Sequence, residues 1–235
     1  MESNKTTVWP FWIVCDVSGS MRAGPSPTPF DAMLPGINDL FDFVTDSVQA
    51  SDIARVGIIT FADSARVHFP LARISASYTL PRLPTNGSET NFAAVFELLG
   101  KTMKADIANL EREFGLVKRP TVFFITDGYP QQGGKRQELA QWGEALKSVH
   151  AITTRRDLGS VGTAVIAFGF GDADCENLKR IAKAPGRALR AEIGVARTSE
   201  LMTEILQSIM ESIQASVRRG DDLVFNLPIG MKPCV

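Results

Sequence analysis

Asp16, Ser18 and Ser20 stand at a spacing of two directly after the apolar run Phe11 to Cys15, so one carboxylate and two hydroxyls are offered where a strand opens into a loop. That set suits a hard cation such as Mg2+, which takes oxygen ligands in near-octahedral geometry and keeps positions for water or an outside ligand. A second apolar, β-rich run, Thr121 to Thr126, ends in Asp127-Gly128-Tyr129-Pro130, where turn-forming residues take over. Two buried strands that each finish in Asp place two carboxylates at one edge of a parallel sheet, where open α/β folds bind their ligands. Between them the polar loop Asn86 to Asn91 opens a helical run and offers a further oxygen, Thr90.

The elements that must position these residues alternate strand and helix, which predicts a doubly wound α/β fold: a mostly parallel, six-stranded sheet with one antiparallel edge strand and helices on both faces. Strands are expected at 11–15, 55–61, 65–69, 121–126, 161–168 and 188–193. The third pairs with the second as a hairpin through Ala62-Asp63-Ser64, and 188–193 forms an edge. Helices are expected at 29–50, capped by Thr28 and kinked at Pro35, and at 91–113, where Phe92, Val95, Phe96, Leu99 and Met103 define a buried face. Others are expected at 135–150, 174–184 and 199–217. The segment 218–235, with two prolines, shows no periodicity.

A chain of 235 residues with 44% hydrophobic content can build one substantial core, and no linker, charge block or repeat divides it. The expected organisation is a single domain over 1–217 followed by a tail over 218–235. Lys plus Arg at 25 against Asp plus Glu at 26 gives no basic excess for nucleic acid. The apolar stretch from Val8 to Cys15 is too short for a secretory leader, and no later stretch reaches the roughly 18 apolar residues of a membrane span. These features predict a cytoplasmic protein. Cys15, Cys175 and Cys234 are odd in number without CxxC spacing, so neither a disulfide framework nor a zinc site is expected, and Cys15 reads as core.

Asp16, Ser18, Ser20, Thr90 and Asp127 match, in order, the DxSxS, T and D pattern of the metal-ion-dependent adhesion site, and from about Pro10 to Ile213 the chain resembles the von Willebrand factor A (VWA) family. Within it, Pro10 ahead of the first strand, Ile58-Ile59-Thr60-Phe61 and Phe124 to Pro130 look like the bacterial tellurite-resistance-associated, TerY-like branch. The resemblance implies that Ser18, Ser20 and Thr90 give oxygens to a divalent ion, Mg2+ or else Mn2+ or Ca2+, with Asp16 and Asp127 largely behind them. Such an ion keeps positive character and attracts an Asp, Glu or phosphate oxygen from a partner protein. Through the TerY-like branch it also implies a stress-response setting beside protein kinases or PP2C-type phosphatases.

Enzymatic readings of the same residues fare worse. A phosphoaspartyl hydrolase needs an acid two residues after its nucleophile, and Ser18 occupies that position. No GxxxxGK[ST] occurs, and Gly169-Phe170-Gly171 lacks a third glycine. His68 and His150 accompany no triad or HExxH pattern. The expectation is a non-catalytic interaction module, with a metal-dependent phosphohydrolase at the same site as the alternative and a structural role for the ion as a third possibility. Arg22 to Pro29 and Tyr129 to Gly134 would form opposite rims, Ser26 and Thr28 being candidate phosphoacceptors ahead of prolines.

Overall fold

The computed structural model describes residues 7–75, 77–156, 159–191, 198–220 and 223–234. In chain order its elements are β1 (Thr7–Asp16), a 3-10 turn (Ser20–Arg22), α1 (Pro29–Asp46), α2 (Val48–Ile53), β2 (Ala54–Phe61), β3 (Ala65–Ala72), α3 (Phe92–Phe114), β4 (Leu116–Val117) and β5 (Thr121–Thr126). Then follow β6 (Gln131–Gln132), β7 (Lys135–Arg136), α4 (Leu139–His150), β8 (Thr153–Arg156), β9 (Gly159–Gly162), β10 (Ala164–Gly169), α5 (Cys175–Ile181), β11 (Ala188–Ala191), α6 (Thr198–Arg219) and β12 (Met231–Pro233).

The main sheet runs β12-β11-β10-β5-β1-β2-β3, with the short β4 also beside β1. From β11 to β2 the pairings are parallel, and β3 joins β2 antiparallel as the expected hairpin. The side-chain alternation of β1 explains why helices cover both faces. Phe11, Ile13 and Cys15 enter one core with residues of α1 and α6, whereas Trp12 and Val14 enter the other with residues of α3 and α4. On the first face α1 lies so close to α6 that a Cβ on Gly36 would meet the Leu206 side chain at 2.5 Å. On the second, all five residues expected to form the buried stripe of α3 are buried.

Several boundaries differ from the sequence reading. The first helix stops at Asp46, and Ser47 starts α2 by accepting a hydrogen bond from the Ala50 amide at 3.3 Å. As expected, α1 continues through Pro35, which lies on its exposed side. The strand expected over 161–168 is divided: 159–162 belongs to a hairpin with β8, and β10 begins at Ala164 after Thr163 turns its amide and hydroxyl to the Ile152 carbonyl. Residues 135–136 form a hairpin with 131–132, so α4 starts at Leu139.

The largest corrections concern β11, the tail and the cysteines. β11 is covered on its outer side by β12, which pairs antiparallel with it, so it is no edge; the last two residues of the expected strand, 192 and 193, lie outside the described residues. Tail residues 224–226 follow α6 because Ser208, Ser212 and Ser216, four apart on one helix face, bond to their backbone. Cys175 and Cys234 form a disulfide across 59 residues, against the expectation of none. The spacing carried no signal because the fold, not the local sequence, joins the start of α5 to the end of the chain. Cys15 is free and buried, its thiol pushed up to about 12 by burial and then by neighbouring Asp16.

Candidate metal centre

Asp16 is fully buried, and its two oxygens are held from two directions. Oδ1 accepts the Ser18 amide at 2.9 Å, and Oδ2 accepts the Thr126 hydroxyl at 2.7 Å. The second contact follows from sheet register: Cys15 lies opposite Ile125 in the parallel β1/β5 pair, so the next residues, Asp16 and Thr126, face the same side. A chain of oxygens continues outward. Ser18 Oγ lies 3.1 Å from Ser20 Oγ, which donates to Asp127 Oδ1 at 2.8 Å.

Thr90 completes the group from a third segment. It is buried, its Oγ1 would lie 3.1 Å from a Cβ placed on Gly128, and its side chain is one of the groups around Asp16 that partly offset the rise burial imposes on that carboxyl. The helix behind it is anchored by aromatic packing. Phe92, the first residue of α3, sets its ring 5.5 Å from Phe124 and 5.6 Å from Trp142, edge-on in both cases. Burying such a ring stabilises the domain by about 1.5–3 kcal/mol, and here it also fixes where the Thr90 loop ends. Asn91 caps α3 by accepting the Ala94 amide, and its own amide group donates to the Asp63 carbonyl.

The structure therefore brings all five sequence-predicted residues together. The Ser18–Ser20 and Ser20–Asp127 oxygen spacings of 3.1 and 2.8 Å fit a small hard cation, since cis oxygens of an octahedron with bonds near 2.1 Å lie about 3 Å apart. Among the described residues no cluster of three or more His, Cys, Asp or Glu side chains forms a cage. The donor set is two carboxylates and three hydroxyls, the hard oxygen chemistry that Mg2+ and Mn2+ accept. Both carboxylates are held above the ordinary carboxylate range. Burial, only partly offset by its hydrogen bonds, raises Asp16 to about 6; burial and then the Asp16 charge raise Asp127 to about 7. A divalent ion among these oxygens would reverse both directions.

Sequence reasoning missed several residues that hold the site. Thr126 read only as the last residue of its strand, and its contact with Asp16 depends on the β1/β5 register. Half-buried Arg22, expected on a rim, also braces the site: its guanidinium donates to the Val17 and Gly87 carbonyls, both at 2.7 Å, joining the two loops that carry Ser18 and Thr90. Gln137, also buried, links the 130s hairpin to α3 by accepting the Phe92 amide at 2.8 Å and donating to Asn91 Oδ1 at 2.9 Å. Glu89 receives the amides of Gly133 and Gly134, so the Tyr129 to Gly134 loop is fastened to the Thr90 loop. Thr28 is occupied as the cap of α1 in a reciprocal pair with Asp31, while Ser26 is exposed and donates to the same carboxylate at 3.0 Å.

A family model described as the von Willebrand factor type A domain matches residues 11–130, which include all five residues of the cluster. The chain belongs to the VWA family. Solved structures with this VWA fold include the von Willebrand factor type A protein from Catenulispora acidiphila, at 18% identity and a TM-score of 0.59 over 88% of this chain and 43% of that one. Another is proximal thread matrix protein 1 of the mussel byssus, with a zinc-occupied MIDAS motif, at 15% identity and 0.56 over 88% and 48%. The pilus adhesin SpaC from Lactobacillus rhamnosus GG gives 15% and 0.56 over 90% and 31%. This VWA chain spans less than half the length of each of these structures. No curated protein sequence matches it significantly.

Proposed function

We propose that this VWA domain is a metal-dependent protein-interaction module without catalysis of its own. The observation that supports it is the continuous oxygen cluster from Thr126 through Asp16, Ser18 and Ser20 to Asp127, open outward at exposed Ser20. A divalent cation held there, Mg2+ or alternatively Mn2+ or Ca2+, supplies an open coordination position to an Asp, Glu or phosphate oxygen of a partner. Asp16, fixed by Thr126 and the Ser18 amide, anchors the start of the loop that carries the Ser18 and Ser20 hydroxyls. Asp127 orients Ser20, and Thr90 closes the group from the α3 side. The zinc-occupied MIDAS motif named for the mussel byssus protein makes the same kind of site the natural reading of this cluster.

A TerY-like role beside kinases or PP2C-type phosphatases, in a stress response and in the cytoplasm, is our proposal for its setting, resting on the sequence resemblance. Among the described residues no helix is long and apolar enough to cross a membrane. The test is affinity capture from cell extract with the native chain, the native chain in EDTA, and Thr90→Ala. A partner lost in the last two supports the module; partners held equally by all three place the interaction elsewhere. Phosphoester turnover that vanishes in Asp16→Asn, with the protein folded, would establish the hydrolase instead.

A further inference from the structure

Two independent connections run from the last strand to the loop beneath Asp127. In the first, Cys234 is bonded to Cys175, the first residue of α5, whose cap Asp174 lies two residues after Asp172; the Asp172 amide donates to the Asp127 carbonyl at 2.7 Å. In the second, Lys232 of β12 lies opposite Arg190 of β11, and Arg190 donates to the Gly171 carbonyl at 3.2 Å. Gly171 is left-handed, with φ of +55°, and a Cβ there would stand 2.8 Å from the Asp127 carbonyl oxygen, so the loop is packed hard against Asp127. β12 itself pairs with β11 over only three residues, and so short a pairing opens readily unless it is tied down.

We propose that the Cys175–Cys234 disulfide is a redox-responsive latch that pins β12 and thereby keeps the 170–174 loop rigid under Asp127. Both cysteines are only half-buried, within reach of a small thiol. The co-reactant is a dithiol reductant. One of its thiolates attacks a Sγ of the bond and forms a mixed disulfide while the other cysteine leaves as thiolate. The reductant's second thiolate then displaces the first cysteine, giving two protein thiols and one oxidised dithiol, with two electrons and two protons transferred. Opening the bond leaves β12 held by its short pairing with β11 and by the buried Met231 side chain. Where the metal-site reading above also holds, the released loop lets Asp127 drift from Ser20 and metal affinity falls.

The test uses the full chain, oxidised and dithiothreitol-reduced, with Cys175→Ser/Cys234→Ser as a reagent-free equivalent. Unfolded without reductant, the native chain should show one titratable thiol, Cys15; three would overturn the proposal. Amide exchange at Phe170 and Asp172, whose hydrogen bonds end on Thr126 and Asp127, should rise about tenfold or more on reduction, together with exchange at Cys234. Unchanged exchange at 170 and 172 overturns the latch, whether or not a metal binds. The Mg2+ dissociation constant should rise about threefold to tenfold on reduction. An oxidised chain that binds no Mg2+ removes the metal reading while the exchange result still decides the latch.

Discussion

The Ser20 hydroxyl donates to Asp127 Oδ1 at 2.8 Å, closing a gap of 107 residues between the loop after β1 and the end of β5. Those strands are neighbours in a parallel sheet, so the contact exists because β1 and β5 end level, with Cys15 opposite Ile125. The candidate site is thus a product of register. Anything that moves one strand end against the other changes the oxygen spacing before it changes the fold.

Thr126→Val should expose this directly. The substitution keeps the shape of a fully buried side chain and removes the donor to Asp16 Oδ2. Losing a hydrogen bond to a buried carboxylate costs about 1.5–3 kcal/mol, and Asp16 becomes free to rotate from Ser18. Denaturant unfolding should report that loss, and Mg2+ affinity should fall about tenfold.

Arg22→Ala should weaken metal binding although the side chain lies outside the five-residue cluster, because its fork joins the Val17 and Gly87 carbonyls. We expect about a threefold to tenfold higher Mg2+ dissociation constant. Arg22→Lys should not restore it, since an ammonium cannot span both carbonyls in the same geometry. Full rescue by Lys would return Arg22 to the role of a simple rim charge.

The metal-free domain should lose stability as pH rises from about 4 to about 7. Asp16 and Asp127 have folded pKa values raised above their unfolded ones, so the folded state holds more protons in that window and their contribution fades as they ionise. Each pKa unit corresponds to about 1.4 kcal/mol, so Asp127→Asn in EDTA should be more stable than the native chain at pH 7 and little different at pH 4.5. Saturating Mg2+ should invert the pH 7 comparison. Thermal unfolding at the two pH values, with and without the ion, measures all four arms.

What the sequence made legible was whatever a short window carries. The apolar runs stopping at Asp16 and Asp127, the β2–β3 hairpin turn and the stripe of α3 are local patterns, and the structure has each of them. The helix expected across Ser47 broke because that hydroxyl accepts the Ala50 amide and caps a new helix. Arg22, Gln137 and the Cys175–Cys234 bond were hidden for the opposite reason. Their partners lie 5 to 65, 45 to 46 and 59 residues away, and only the folded chain brings them close.

The central claim is that Asp16, Ser18, Ser20, Thr90 and Asp127 together hold one divalent cation, and calorimetric titration of the native chain and Asp16→Ala with Mg2+ tests it most directly. The account predicts one saturable site in the native chain and at least tenfold weaker binding in the variant, with both proteins folded by circular dichroism. Equal affinity in the two, or no saturable binding in the native chain, would contradict it.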